Sequence, residues 1–388
     1  MRVLHVTPYF APAFRYGGPP QSILGLCQAL GRAGVDVEVF TTTADGDVPL
    51  PAAPQGVMYG GVRARYFPLA WPKRYWRAEG LRAAVAEAAK RVDLVHVHGL
   101  WNLTGWAGIR AARAAAVPYV LSPRGMWQPA ALSRHRVFKA VGYAVAERAN
   151  LVGAALLHAT SDDEARALES LGPPVALVAN GVAPRAVQPE DIARLRQRAG
   201  LTNEDEAVTV LGRLHPIKRL DLLAAGFVAV RRHRPRARLV IAGPDEGGHR
   251  RTIEPLLAEV ADSVRWLGPV NDDDKWALLA ASRALVQCSD SESFGLGVAE
   301  ALAAGVAVVV TDRGPWRDLA SARCGSVVAH DAQAIADAVE RLLADPVAAA
   351  EMGGRARVWA AHRFGWDQLA AAMIDAYGDA VARVSPAA

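Results

Sequence analysis

The chain has 388 residues, 52% of them hydrophobic and 21% charged, with a net charge of +5. That composition excludes a disordered or low-complexity protein and sets an expectation of two globular domains. No apolar run reaches the roughly 18 residues that span a bilayer, and residues 1–6 lead straight into a strand pattern, so the chain is expected to act in the cytoplasm.

Strand patterns in the first half fall at Val3–Val6, Val35–Thr41, Leu94–Val97, Tyr119–Leu121 and Leu156–Ala159. The second half adds Val208–Leu211, Leu239–Ile241, Val264–Leu267, Ala284–Val286 and Val306–Val310. Each is a short aliphatic run with little alternation, as expected for strands buried on both faces. Amphipathic stretches lie between them, such as Ile23, Leu24, Cys27 and Leu30 at helical spacing. Strand–helix alternation twice over predicts two parallel sheets flanked by helices. Residues 1–183 read as one domain, the polar stretch 184–206 as a linker with a short helix, and 207–366 as the second domain. Ligands of such sheets lie beyond the carboxyl ends of the strands, so the space between the domains is the expected site. Cys27, Cys288 and Cys324 lie far apart and predict neither a disulfide framework nor a metal cluster.

Glu292-Ser-Phe-Gly-Leu-Gly-Val-Ala-Glu300 follows the strand at Ala284–Val286. Ser289, Asp290 and Ser291 are capping residue types, which predicts a helix from about Ser293 whose first amides, around Phe294–Leu296, face an anion. Gly295 and Gly297 would let a ligand approach the backbone. Glu292 at the helix mouth and Glu300 about two turns in would accept hydrogen bonds from sugar or ribose hydroxyls. Gly212-Arg213-Leu-His-Pro-Ile-Lys218 follows another strand, and two cations on such a loop suit a diphosphate. Tyr16-Gly17-Gly18-Pro19-Pro20 precedes the Ile23 helix, where glycines would admit a phosphate or sugar. No G-x-G-x-x-G fingerprint is present, which disfavours a nicotinamide oxidoreductase.

Together these motifs resemble the retaining GT-B glycosyltransferases of family four, over essentially the whole chain. The Asn180-Gly181-Val182, Ile241-Ala242-Gly243 and Arg363-Phe364-Gly365-Trp366 segments occur in the family's order. The resemblance implies two Rossmann-like domains facing across a cleft, with a terminal helix, 367–388, crossing back to the first. It implies a UDP- or GDP-sugar donor in the second domain and no metal or other cofactor. Arg213 and Lys218 would hold the diphosphate, Glu300 the ribose, and Glu292 with the Phe294–Leu296 amides the transferred sugar. Gly17, Gly18 and Gly212 would line the donor.

One departure stands out. Where many members carry a histidine after the fourth strand, this chain reads Ser122-Pro123-Arg124-Gly125. Arg124 would contact a donor phosphate or an anionic acceptor, or pair with a surface acid. His98, ending the preceding strand, is the other catalytic candidate, against the alternative of a satisfied core histidine. Residues 1–185 carry 20 Lys/Arg against 12 Asp/Glu, a net +8, leaving −3 for the rest. Between residues 63 and 91, Tyr66, Phe67, Trp71, Tyr75 and Trp76 interleave with arginines and lysines, and Arg134, Arg136 and Lys139 follow. This predicts docking on an anionic membrane surface, or else a solvated basic face; no nucleic-acid motif accompanies it. Trp101, Trp127 and Arg134 would bind the acceptor, expected to be a lipid-diphosphate-linked saccharide for surface polysaccharide assembly. The rival functions are a GT-B epimerase and a non-catalytic nucleotide-sugar-binding scaffold.

Overall fold

The computed structural model describes residues 1–132, 142–245 and 247–384. They form two compact units. One comprises Met1–Gly181 with Trp366–Ala388, the other Val182–Gly365.

The first unit is built on an eight-stranded sheet in the order β3-β4-β2-β1-β5-β6-β7-β8. Its strands are β1 (Arg2–Val6), β2 (Asp36–Thr42), β3 (Ala53–Tyr59), β4 (Val62–Phe67), β5 (Leu94–His98), β6 (Tyr119–Ser122), β7 (Leu156–Ala159) and β8 (Val175–Leu177). All neighbours are parallel except the β3–β4 hairpin at the edge. That hairpin escapes sequence patterning because β3 carries Pro54 and Gly56, and β4 alternates arginines with apolar residues, as an edge does. Tyr66 and Phe67 are core residues, only 4% and 3% exposed, so they form no docking surface. Arg63 and Arg65 both reach Glu38 on the adjacent strand. Of the five aromatics in that basic stretch, Trp71 is the exposed one, at 84%, while Tyr75 and Trp76 are half-buried.

The terminal helix, Trp366–Val384, packs on this unit through Leu369, Met373 and Tyr377 against Val3, Leu30 and Val120. Its first residue enters a slot that only glycine permits. A Cβ on Gly25 would come within 2.3 Å of the Trp366 indole, and so would one on Gly181.

The second unit has six parallel strands in the order β11-β10-β9-β12-β13-β14. They are β9 (Glu206–Leu211), β10 (Ala237–Ala242), β11 (Val264–Gly268), β12 (Ala284–Gln287), β13 (Ala307–Thr311) and β14 (Ser326–Val328). The stretch 184–206 is not a free linker. Its helix, Pro189–Arg198, carries Leu195, which with Ala199 and Leu201 packs against Val240, Ala277 and Leu278, so the stretch belongs to this unit's core. Polar composition hid three apolar contacts on one helix face and its exit. No helix among the described residues is long and apolar enough to cross a membrane.

Candidate functional site

Each sheet reverses its strand order once, and open parallel sheets bind ligands at such points. In the second unit the reversal lies between β9 and β12, which lead into the loops 212–219 and 288–295. Asp290 N–H donates to the Ile217 carbonyl at 2.9 Å, and Arg219 bonds Asp290 at 3.0 Å, tying the loops together. His330 Nε2 donates to the Cys288 carbonyl at 3.0 Å. Burial pushes the Cys288 thiol up to about 12, so it is an inert packing group.

Gly212, Arg213, Lys218, Gln287 and Ser289 line the pocket between these loops. Lys218 closes a single 3-10 turn begun by His215, whose Nδ1 accepts from Ile217 N–H. Lys218 Nζ lies 2.6 Å from Glu292 Oε2. Gln287 Nε2 and Ser289 Oγ donate to the same oxygen, each at 3.1 Å. Glu292 is therefore oriented by three donors, and neither it nor Lys218 is fully buried. Gln287 went unread in the sequence, and Ser289 was read as a helix cap rather than as a partner of Glu292, although both flank the end of β12.

The helix begins later than its sequence predicts, at Leu296, and no side chain caps it. Ser289 is spent on Glu292, and Gly295 at a left-handed φ of +85° starts the helix instead. The first intrahelical bond runs from Val298 N–H to Gly295, so the Leu296 and Gly297 amides precede it. Glu300 is thus just over one turn in, not two. It is 4% exposed, and Lys275 Nζ lies 2.5 Å from its Oε1 and 2.7 Å from Asp272. Burial opposes the Lys275 charge, yet Glu300 and Asp272 outweigh it and hold the ammonium above the usual lysine range. Lys275 has no motif in the sequence; only the packing of helix Asp272–Ala281 brings it there.

In the first unit the reversal lies between β1 and β5. Gly17 starts the helix Gly18–Arg32, but Pro19 and Pro20 lack N–H groups, so few amides are left there to meet an anion. His5, His96, His98 and His158 are all buried beneath the strand ends. Arg124 Nη2 donates to His98 Nδ1 at 3.2 Å, and Nη1 donates to Asn180 Oδ1 at 2.8 Å and Ser22 Oγ at 3.3 Å. A guanidinium only donates, so His98 Nδ1 accepts and its proton sits on Nε2. That Nε2–H faces His5 Nδ1 at 3.0 Å, which fixes the His5 proton on Nε2 as well. Ligand atoms of His5, His96 and His98 lie within 4.8 Å of one another, a metal-like spacing. The donor set does not fit a metal, because His98 Nε2 is protonated and a cation already lies on the ring's other side. Burial, then Arg124, holds His98 well below the usual imidazole range, and His5 at about 3. His98 is thus a neutral support for Arg124. Among the described residues Arg124 pairs with no surface acid: its bonded partners are these three neutral groups, and burial lowers it below the usual arginine range. His96 Nδ1 bonds the Tyr377 hydroxyl at 2.7 Å, a link to the terminal helix with no sequence signal.

Trp101 and Trp127 are half-buried and pack against the first unit's core, with Trp127 5.3 Å from the Tyr143 ring. Arg134, with Arg136 and Lys139, lies outside the described residues.

Residues 17–181 match the model of the glycosyl transferase 4-like domain, and residues 191–359 that of the glycosyl transferases group 1. The D-inositol 3-phosphate glycosyltransferase of Frankia alni is 31% identical, covering 99% of both chains. Sucrose-phosphate synthase from Thermosynechococcus elongatus aligns with a TM-score of 0.76 over 99% of this chain and 100% of that one, at 21% identity. Anabaena HepE in complex with UDP and glucose gives 0.77 over 97% and 99%, at 20% identity. Two Rossmann-like units with these neighbours define the GT-B class of fold. Within it, the chain belongs to the group 1 glycosyltransferases of family four, enzymes that use nucleotide-sugar donors.

Proposed function

We propose that the protein is a retaining, metal-independent hexosyltransferase. It moves a sugar from a UDP- or GDP-sugar to a lipid-diphosphate-linked saccharide in surface or exopolysaccharide assembly, without a further cofactor. The observation that carries the donor reading is the Lys218–Glu292 pair at the β9–β12 reversal, beside the open helix mouth. Arg213 and Lys218 bind the diphosphate and stabilise its charge as the sugar departs. Glu292 and the Leu296 amide orient the sugar, and Glu300, fixed by Lys275, accepts from the ribose hydroxyls. In retaining transfer the sugar C1–phosphate oxygen bond breaks as the acceptor oxygen bonds C1 on the same face. The acceptor's proton passes to the departing phosphate oxygen. Arg124, anchored by His98, Asn180 and Ser22, draws the anionic acceptor. Exposed Trp71 within the basic stretch supports peripheral contact with the inner face of an anionic membrane.

A second acceptor reading has its own support. The similar proteins are named for D-inositol 3-phosphate, a small phosphorylated polyol. Thermal shift against UDP, GDP, ADP and dTDP, then their sugars, tests the donor site, since one nucleotide should raise the melting temperature. A flat response to all four refutes the assignment. Transfer assays with lipid-linked saccharide and inositol phosphate in parallel then separate the acceptors. An isomerised sugar released without acceptor would point to an epimerase, and binding without turnover to a scaffold. Liposome flotation with anionic lipid at low salt tests docking; no co-flotation sinks it.

A further inference from the structure

Three donors converge on a single oxygen of Glu292. Lys218 Nζ lies 2.6 Å from Oε2, and Gln287 Nε2 and Ser289 Oγ each lie 3.1 Å from it. The three are held in different ways. Gln287 is the last residue of β12, paired with Val310 in the neighbouring strand, and Ser289 follows two residues on. Lys218 reaches the same oxygen from the other loop, on a flexible side-chain stem. The backbone beneath that stem is fastened separately. Cys288 Sγ donates to the Lys218 and Arg219 carbonyls at 3.4 and 3.1 Å. The ammonium can therefore move without the loop. It stands over Gly212, where a Cβ would lie 4.0 Å from Nζ. Gly212, Arg213, Lys218, Gln287 and Ser289 all line one pocket.

We propose that Gln287, seconded by Ser289, is a positioning residue for sugar transfer: it keeps Glu292 oriented when the donor diphosphate draws Lys218 away. The inference rests on the nucleotide-sugar reading above, in which Lys218 binds the diphosphate and Glu292 the transferred sugar. A diphosphate carries more charge than one carboxylate, so it competes for the ammonium. The amide and the hydroxyl carry no net charge, so an arriving anion draws them far less. A carboxylate only accepts, so Gln287 must present its NH2 to it. Glu292 then keeps two donors on Oε2 after Lys218 has left, instead of turning free beside an anion that repels it.

The test is a double-mutant cycle on ligand binding, which needs no acceptor. Gln287→Met removes the amide donor at similar length, and Glu292→Ala removes the carboxylate it holds. Calorimetry measures UDP and UDP-glucose, or GDP and GDP-mannose if the thermal screen selects guanine. Gln287→Met should leave nucleotide affinity within about twofold of wild type and weaken the nucleotide-sugar about tenfold, the scale of a hydrogen bond to a charged group. In the Glu292→Ala background the same change should have no further effect, because Gln287 acts through Glu292. Equal losses for nucleotide and nucleotide-sugar, no loss for either, or an undiminished loss in the Glu292→Ala background overturns the proposal. A wild type that binds neither ligand overturns the donor-site reading itself, a separate outcome. If Gln287→Met does not fold, Ser289→Ala replaces it in the same cycle, with the same split expected and the same results overturning it.

Discussion

The two units use the same architectural device for opposite electrostatics. Each places loops at the single reversal of a parallel sheet, between β9 and β12 in one and between β1 and β5 in the other. In the second unit that point holds a charged, partly exposed pair, Lys218 and Glu292, ready to exchange partners with a ligand. In the first it holds a buried stack of neutral imidazoles supporting a single arginine. Topology sets where binding happens, and the side chains on the strand ends set whether the place is a reacting surface or a rigid mount.

Removing the charged side of this contrast should have the largest effect. Lys218→Ala leaves Glu292 unopposed and removes a diphosphate ligand. Turnover should fall by about a thousandfold or more, measured by product formation, with circular dichroism unchanged. Retained turnover would dissolve the contrast, because the second reversal would then be no more reactive than the first.

The neutral side is tested by pH. His5 and His158 sit near 3 when folded, against 6.5 in a free chain, chiefly through burial and then Arg124. Between those values the unfolded chain binds more protons, so stability must fall as pH drops from about 6.5 toward 3, by about 1 kcal/mol or more per pH unit for each histidine. Calorimetry from pH 7 to 4.5 should show the first unit's transition moving down most. A pH-independent transition would mean these histidines are not buried neutral.

Lys275→Met sharpens the comparison inside the second unit. It strands the buried Glu300 carboxylate and should cost about 3–5 kcal/mol, read as a lower melting temperature. Little loss would mean that Glu300 is solvated. Gly295→Ala should have the smallest effect, about 1–3 kcal/mol. Alanine is strained at +85° and its methyl would meet Trp316 Nε1, so donor KM should rise as well. An unperturbed Gly295→Ala enzyme would show that the helix mouth tolerates a side chain.

Much of this molecule is legible in its residues. Uninterrupted aliphatic runs such as Val306–Val310 declare strands covered on both faces, and cations or carboxylates just past them mark ligand loops. The β3–β4 hairpin was not legible, because edge strands face solvent and carry mixed residues. The helix start at Leu296 was missed because three capping residues precede it and the bond to Glu292 competes for one of them. Arg124 could be singled out by its place after β6, but its partners could not. Ser22, His98 and Asn180 are distant in the chain and meet only through sheet order.

The sequence by itself determined the two-unit α/β architecture, the family, and Arg213, Lys218, Glu292 and Glu300 as candidates, since local pattern and strand-end position carry that information. Only the tertiary structure decided which charges are exposed and which are locked. It paired Glu300 with Lys275, made the histidines a neutral mount, set Trp101 and Trp127 half-buried against the first unit's core, and packed the Trp316 indole against Gly295. Those outcomes depend on contacts between segments tens to hundreds of residues apart, and on the burial that sets each group's charge, neither of which a local pattern encodes.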